Sequence, residues 1–214
     1  MTTKTTNILL VLNLLFLGGI LIRQSAASQS FAMQSSAQST TKDNEELMRM
    51  EQEDQSDRTP RAGKSFDWEA AGQRDDAQLA RVKELYRQNK LQTGNDYFRA
   101  ALILHHSSAP EDYLLAHELC VVALSKGKTN AQALDARGLA ATSEDRFLMS
   151  IDCPQRFGTQ YRVEDENAPV KHYKLYKTDS GVTDELRSLM NVPSLAGAKA
   201  REAEMGKYSR NGQK

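Results

Sequence analysis

Between Asp145 and Tyr161 the chain reads D-R-F-L-M-S-I-D-C-P-Q-R-F-G-T-Q-Y, its densest run of groups able to do chemistry. Asp145 brings a carboxylate and Arg146 a guanidinium on a stretch with helical periodicity. Pro154 stops that helix, and Gln155, Thr159 and Gln160 follow around Gly158. Upstream, His106 closes an apolar run. His106, Asp145, Arg146, Gln155, Thr159 and Gln160 form one candidate polar cluster. In a catalytic reading His106 or Asp145 is a general base and Arg146 stabilises developing negative charge. Gln155, Thr159 and Gln160 do not titrate in the ordinary range, so they suit hydrogen bonding to a neutral polar ligand such as a peptide or sugar, or to their own backbone. In the structural alternative Arg146 crosses to the segment after Pro154 and ties its carbonyls. Asp145 then holds backbone N–H groups there, or orients His106.

Several chemistries have no support. His105 and His106 are neighbours, as are His117 and Glu118, and adjacent helical residues point about 100° apart. No H-E-x-x-H spacing exists, so no metal ligand set is expected. There is no G-x-S-x-G elbow, no identifiable Cys–His pairing and no Gly-rich phosphate loop, and no cofactor is expected. Lys+Arg and Asp+Glu are both 28 and the pI is about 6.9. That balance argues against a nucleic-acid partner, which selects for a basic excess.

These residues need elements to position them. Residues 1–27 read as an export signal: Lys4, an apolar run from Ile8 to Ile22, then Ser25-Ala26-Ala27 for cleavage. The run is short for the ~30 Å hydrocarbon core, and Arg23 directly after it keeps an uncleaved anchor as the alternative. Contact with a membrane is expected only through this segment. Residues 28–65 are Ser/Gln-rich, then charged, and read as a disordered tether in which any helix stays unpacked. Export permits a Cys120–Cys153 bridge, although Cys120 sits among apolar residues as a buried free thiol would.

A helical domain is expected over 66–205, with a frayed tail at 206–214. Asp75 or Asp76 caps a first helix carrying Leu79, Val82, Leu85 and Tyr86. Asp96 caps a second, apolar nearly all round and ending at His106, which should be the central helix. Ser108-Ala109-Pro110-Glu111 is a capping-box pattern opening a third, which Gly127 stops. A fourth runs from Thr129 or Asn130 to about Asp152, with Gly138 marking the close approach of another helix. Phe157–Val163 and Val170–Lys177 read as strands of a hairpin, and Thr183 caps a last short helix. The fold class is mainly α: an antiparallel bundle of about four helices, with a small C-terminal β-hairpin and a short terminal helix.

His106, the run P-E-D-Y-L-L-A-H-E-L, D-R-F-L, P-Q-R-F-G-T-Q and the closing V-T-D-E-L-R-S-L-M-N-V-P-S-L-A together resemble an uncharacterised bacterial family, a domain of unknown function. Its pattern is Q-H, then D-R, then P-Q-x-x-G-T-Q. The resemblance spans roughly 66–205 and marks His106, Asp145, Arg146, Gln155, Gly158, Thr159 and Gln160. The chain departs from it at His105, Gly138 and Asp152. It implies a site and a fold but no reaction. Helices three and four also look like a tetratricopeptide-type hairpin, without the repeated copies that a solenoid needs.

The reading is an exported protein, periplasmic or extracellular, that binds a protein, peptide or glycan in a polar cleft. A hydrolase acting on a peptide or glycan is the alternative, and a purely structural helical scaffold the third.

Overall fold

The computed structural model describes residues 41–58, 68–127, 135–164 and 172–211. Seven helices and one two-stranded sheet lie among them: α1 (Glu45–Arg58), α2 (Trp68–Arg87), α3 (Gly94–Leu104), α4 (Pro110–Ser125), α5 (Ala136–Ser150), β1 (Tyr161–Val163), β2 (Tyr173–Leu175), α6 (Asp184–Leu189) and α7 (Leu195–Asn211). The fold is mainly α with a small antiparallel hairpin and a C-terminal helix, and it has more helices than the four expected. The export signal, the Ser/Gln stretch up to residue 40, Phe66 and the hairpin turn beyond Glu164 lie outside the described residues. No helix among the described residues is long and apolar enough to cross a membrane.

The bundle forms around α3. Its Phe98, Ala100, Ala101, Leu102, Ile103 and Leu104 are all buried, because α1, α2, α4 and α5 each contact it. The capping is one step out from expectation. Thr93 is the N-cap, and Asp96 is the third helical residue, whose side chain returns to the Thr93 backbone to close a capping box. α4 faces α3 and α5 with Ala116, Leu119, Cys120 and Ala123. Small residues there let the helix axes come close.

α1 packs into the bundle. Its few apolar residues were expected to leave it unpacked, yet Leu47 is 0% exposed and Met50 6%. Leu47, Met50 and Asp54 fall at i, i+3 and i+7, a single stripe along the helix. Charges that look solvated in the sequence are paired across elements. Arg99 of α3 binds Asp43 (2.7 Å) and Glu51 (2.8 Å), and Arg81 of α2 binds Glu46 (2.6 Å). The N–H of Asn44 donates to Asp96 Oδ1 at 2.7 Å. Composition alone could not show that this stretch has partners waiting for it.

Other starts and stops move for local reasons. α2 begins at Trp68, ahead of Asp75, and Asp75 instead receives Arg58 at 2.9 Å. α4 starts at Pro110 as expected, but the Ser108–Glu111 box does not form. Ala109 occupies the N-cap without a side-chain bond, and Ser107 takes over, accepting from Ala109 N–H and donating to Asp112 at 2.6 Å. Gly127, at φ +81°, ends α4 as expected. The expected start of the fourth helix at Thr129 or Asn130 lies outside the described residues. Within them Asp135 caps α5 by accepting from Arg137 and Gly138 N–H. No side chain of another helix is among the nearest neighbours of Gly138: a Cβ there would lie closest to Asn191 O (3.5 Å), Asp135 Oδ1 (3.6 Å) and Met190 O (3.8 Å).

The strands are shorter than the alternation suggests, with Tyr161 opposite Leu175 and Val163 opposite Tyr173. Thr183 caps α6 as expected, while α7 runs on to Asn211, past the expected fraying at Met205. Cys120 and Cys153 are both free thiols.

Candidate functional site

Of the six residues of the expected cluster, Asp145, Gln155, Thr159 and Gln160 come together through hydrogen bonds, whereas Arg146 and His106 each lie in a different environment. Asp145 and Gln155, both 0% exposed, build a clamp around the Gln155–Gln160 loop. Asp145 Oδ1 accepts from the N–H of Arg156 (2.7 Å) and Phe157 (2.9 Å). Its Oδ2 accepts from Thr159 N–H (3.0 Å) and Thr159 Oγ1 (2.8 Å). The Gln155 amide donates to the Gln160 and Tyr176 carbonyls and accepts from Gln160 N–H at 2.8 Å. Gly158, at φ +81°, lets the loop reverse so that these N–H groups converge on one carboxylate.

The loop carbonyls go the other way. Arg187 of α6, only 2% exposed, donates to Phe157 O (3.1 Å), Arg156 O (3.2 Å) and Val182 O (2.7 Å). A buried anion therefore collects the loop's donors and a buried cation its acceptors, which satisfies both charges in place. The sequence reading gave the carbonyls to Arg146. The structure gives them to Arg187, a residue from the V-T-D-E-L-R run that sequence reasoning did not single out. Asp145 and Gln155 spend their polar atoms on structure.

Arg146 points away from its neighbour Asp145, as adjacent helical residues must. Its Nη1 donates to His105 O at 2.9 Å, its guanidinium lies 5.8 Å from the Tyr113 ring centre, and no carboxylate among the described residues pairs with it. Burial holds Arg146 below its ordinary pKa, with Tyr113 opposing. His105 sits beneath it with Nδ1 2.9 Å from the buried Ser143 hydroxyl. Burial, then the charge of Arg146, holds the His105 imidazole well below its ordinary 6.5 and so neutral.

His106 does not meet Asp145. Its Nδ1 lies 2.9 Å from Oδ1 of Asp54, a carboxylate only 1% exposed. Arg58, one turn along α1, binds the same oxygen at 2.7 Å, and the Gln55 amide donates to the other at 2.8 Å. A carboxylate oxygen accepts, so in the neutral ring this contact puts the proton on Nδ1 and leaves the lone pair on Nε2. Nε2 has no protein partner among the described residues. His106 lines a cleft of about 640 Å³ between α2 and the loop before α4. Lys83 and Asp112 brace its wall at 2.7 Å, and Ser108, Asp76 and Arg87 are exposed along it.

Asp54 and Arg58 were missed because the stretch holding them looked unpacked. The available signal was D-Q-x-x-R, an acid and a base four apart on the stripe that carries Leu47 and Met50. Thr159 and Gln160, bonded to the Asp145–Gln155 clamp, also line a pocket beside α7. Among the described residues no three metal-ligating side chains converge. Compared with family models, with curated proteins and with solved structures, the chain matches none, so its function rests on this geometry.

Proposed function

We propose that the chain is a hydrolase in which His106 is the general base, acting on a short peptide held in the cleft between α2 and the loop before α4. One observation carries this reading: His106, on the lining of a cleft, has its Nδ1 committed to a buried carboxylate and its Nε2 without a protein partner among the described residues. The Asp54 bond fixes the tautomer and stabilises the imidazolium that forms once Nε2 has taken a proton. Nε2 removes a proton from water as its oxygen attacks the substrate carbonyl, and returns it to the departing amine. Asp76 and Arg87, exposed on the cleft and in no ion pair among the described residues, match the ammonium and carboxylate ends of a small peptide. Arg146 supports the site from behind, since it grips the His105 carbonyl and fixes the turn that carries His106.

The reading of residues 1–27 as an export signal supports placing this activity in the periplasm or outside the cell. Pure binding in the same cleft is the competing account, and it leaves the Asp54–His106 bond without a task.

The test is release of new amines from a panel of short peptides by the whole chain. His106→Ala should abolish turnover, and Asp54→Asn should lower it by about 10²–10⁴-fold, the usual worth of acid–base catalysis. Turnover indifferent to both changes, or peptide binding with no turnover, overturns the proposal.

A further inference from the structure

The Thr159–Gln160 pocket shares no lining residue with the His106 cleft. It measures about 470 Å³ and is walled by α5, the Gly158–Tyr161 loop, the hairpin and α7, a size within the ~300–1,000 Å³ of small-molecule sites. The geometry points to a second ligand site here, for a saccharide that carries a carboxylate.

The reasoning starts from what the pocket offers. Gly138 and Gly158 contribute no side chain, which leaves its floor open. Tyr161 and Tyr173 lie diagonally on one face of the hairpin, since Tyr161 opposes Leu175 and Val163 opposes Tyr173. The Tyr161 hydroxyl donates to Ala198 O at 2.7 Å, so its ring is held in position. A fixed aromatic ring with a second diagonal to it suits the flat C–H face of a pyranose. Gln160 spends its Nε2 on Thr159 Oγ1 (3.0 Å), leaving Oε1 as an acceptor for a sugar hydroxyl. The Tyr173 hydroxyl has no protein partner among the described residues and can serve another.

Charge decides the rest. Arg201 lines the pocket, is exposed, and has no carboxylate within ion-pair distance among the described residues. No Asp or Glu is among the described lining residues. The adjacent Glu202 accepts from Leu175 N–H at 2.7 Å, on the strand rather than the guanidinium. A site with one cation and no acid selects an anion, and a guanidinium matches a carboxylate through two parallel bonds. A phosphate would want free backbone N–H groups, but those of Thr159 and Gln160 are taken by Asp145 and Gln155. The clamp therefore rigidifies one wall of the pocket while removing the phosphate-cradling donors.

The experiment is a titration of the whole ¹⁵N-labelled chain with a uronic-acid disaccharide, its neutral counterpart and free acetate, followed by amide shifts. The acidic disaccharide should shift Gly138, Gln160 and Tyr161 at ~1 mM, a weak-site affinity, and the other two should shift them far less. Arg201→Gln should weaken this binding by about tenfold or more, and Tyr173→Ala should weaken it for both disaccharides, with melting unchanged in each variant. Equal response to the neutral disaccharide with no effect of Arg201→Gln overturns the charge assignment. An equal response to acetate overturns the saccharide. Absence of shifts, or shifts confined to the His106 cleft, overturns the site. None of these outcomes bears on peptide turnover at His106.

Discussion

Asp145, fully buried, accepts from three backbone N–H groups and one hydroxyl, so its value lies in charge and acceptor count. Asp145→Asn keeps the shape but turns one acceptor into a donor facing N–H groups. It should lower stability by about 2–4 kcal/mol, the cost of breaking a buried charged network. Arg187→Met should cost a similar amount, because it strands the Phe157, Arg156 and Val182 carbonyls. Urea unfolding of each variant measures this, and a loss under about 0.5 kcal/mol would remove the clamp from the account. Asp145 and Gln155 were legible as polar groups beside an irregular segment, and the structural alternative gave Asp145 the right partners. The guanidinium role was assigned to the wrong residue, since sequence spacing cannot say which of two arginines faces a loop. His106 was legible too, but Asp54, 52 residues away, belonged to a stretch that composition had set aside.

At the scale of elements, α1 decides whether the His106 site exists, because Asp54 and Arg58 both ride on it. Leu47 anchors it with 0% exposure. Leu47→Ala should cost about 2–5 kcal/mol, as truncation of a buried leucine does, whereas a loosely tethered helix would register almost nothing. Gly138 gives a prediction of opposite sign. A Cβ there would meet only Asn191 O at 3.5 Å and other ordinary contacts, and the helix gains propensity. Gly138→Ala should therefore stabilise by up to about 1 kcal/mol, and a loss in thermal melting would refute it. The apolar periodicity of α3 and α4 and the Thr183 cap could be read directly, because each is set by residues within one or two turns. The start of α2, the packing of α1 and the shortness of the strands could not, since each depends on partners from distant sequence.

For the whole molecule, the titration of His105 reaches global stability. Folded, the ring stays neutral to well below 6.5, while the unfolded chain takes up its proton near ~6.5. The unfolded state then binds the proton first, so stability must fall as pH drops below about 6.5 and continue falling toward the folded pKa. The slope from this residue approaches about 1.4 kcal/mol per pH unit. His105→Asn, which can keep the Ser143 bond, should flatten the decline between roughly pH 6.5 and 5. Asp43 and Asp135, whose carboxyls lie below the ordinary 3.8, add their own losses only at lower pH. An equal decline in wild type and variant would contradict the burial argument.

The molecule brings α1 and α3 together so that a buried carboxylate holds one imidazole at the edge of a cleft. Nitrogen NMR of the histidine-labelled whole chain reads that arrangement directly. The account predicts that His106, when neutral, carries its proton on Nδ1 with Nε2 unprotonated, and that Asp54→Asn releases this preference. A His106 protonated on Nε2, or a tautomer mixture that Asp54→Asn leaves unchanged, would contradict the dyad and the function built on it.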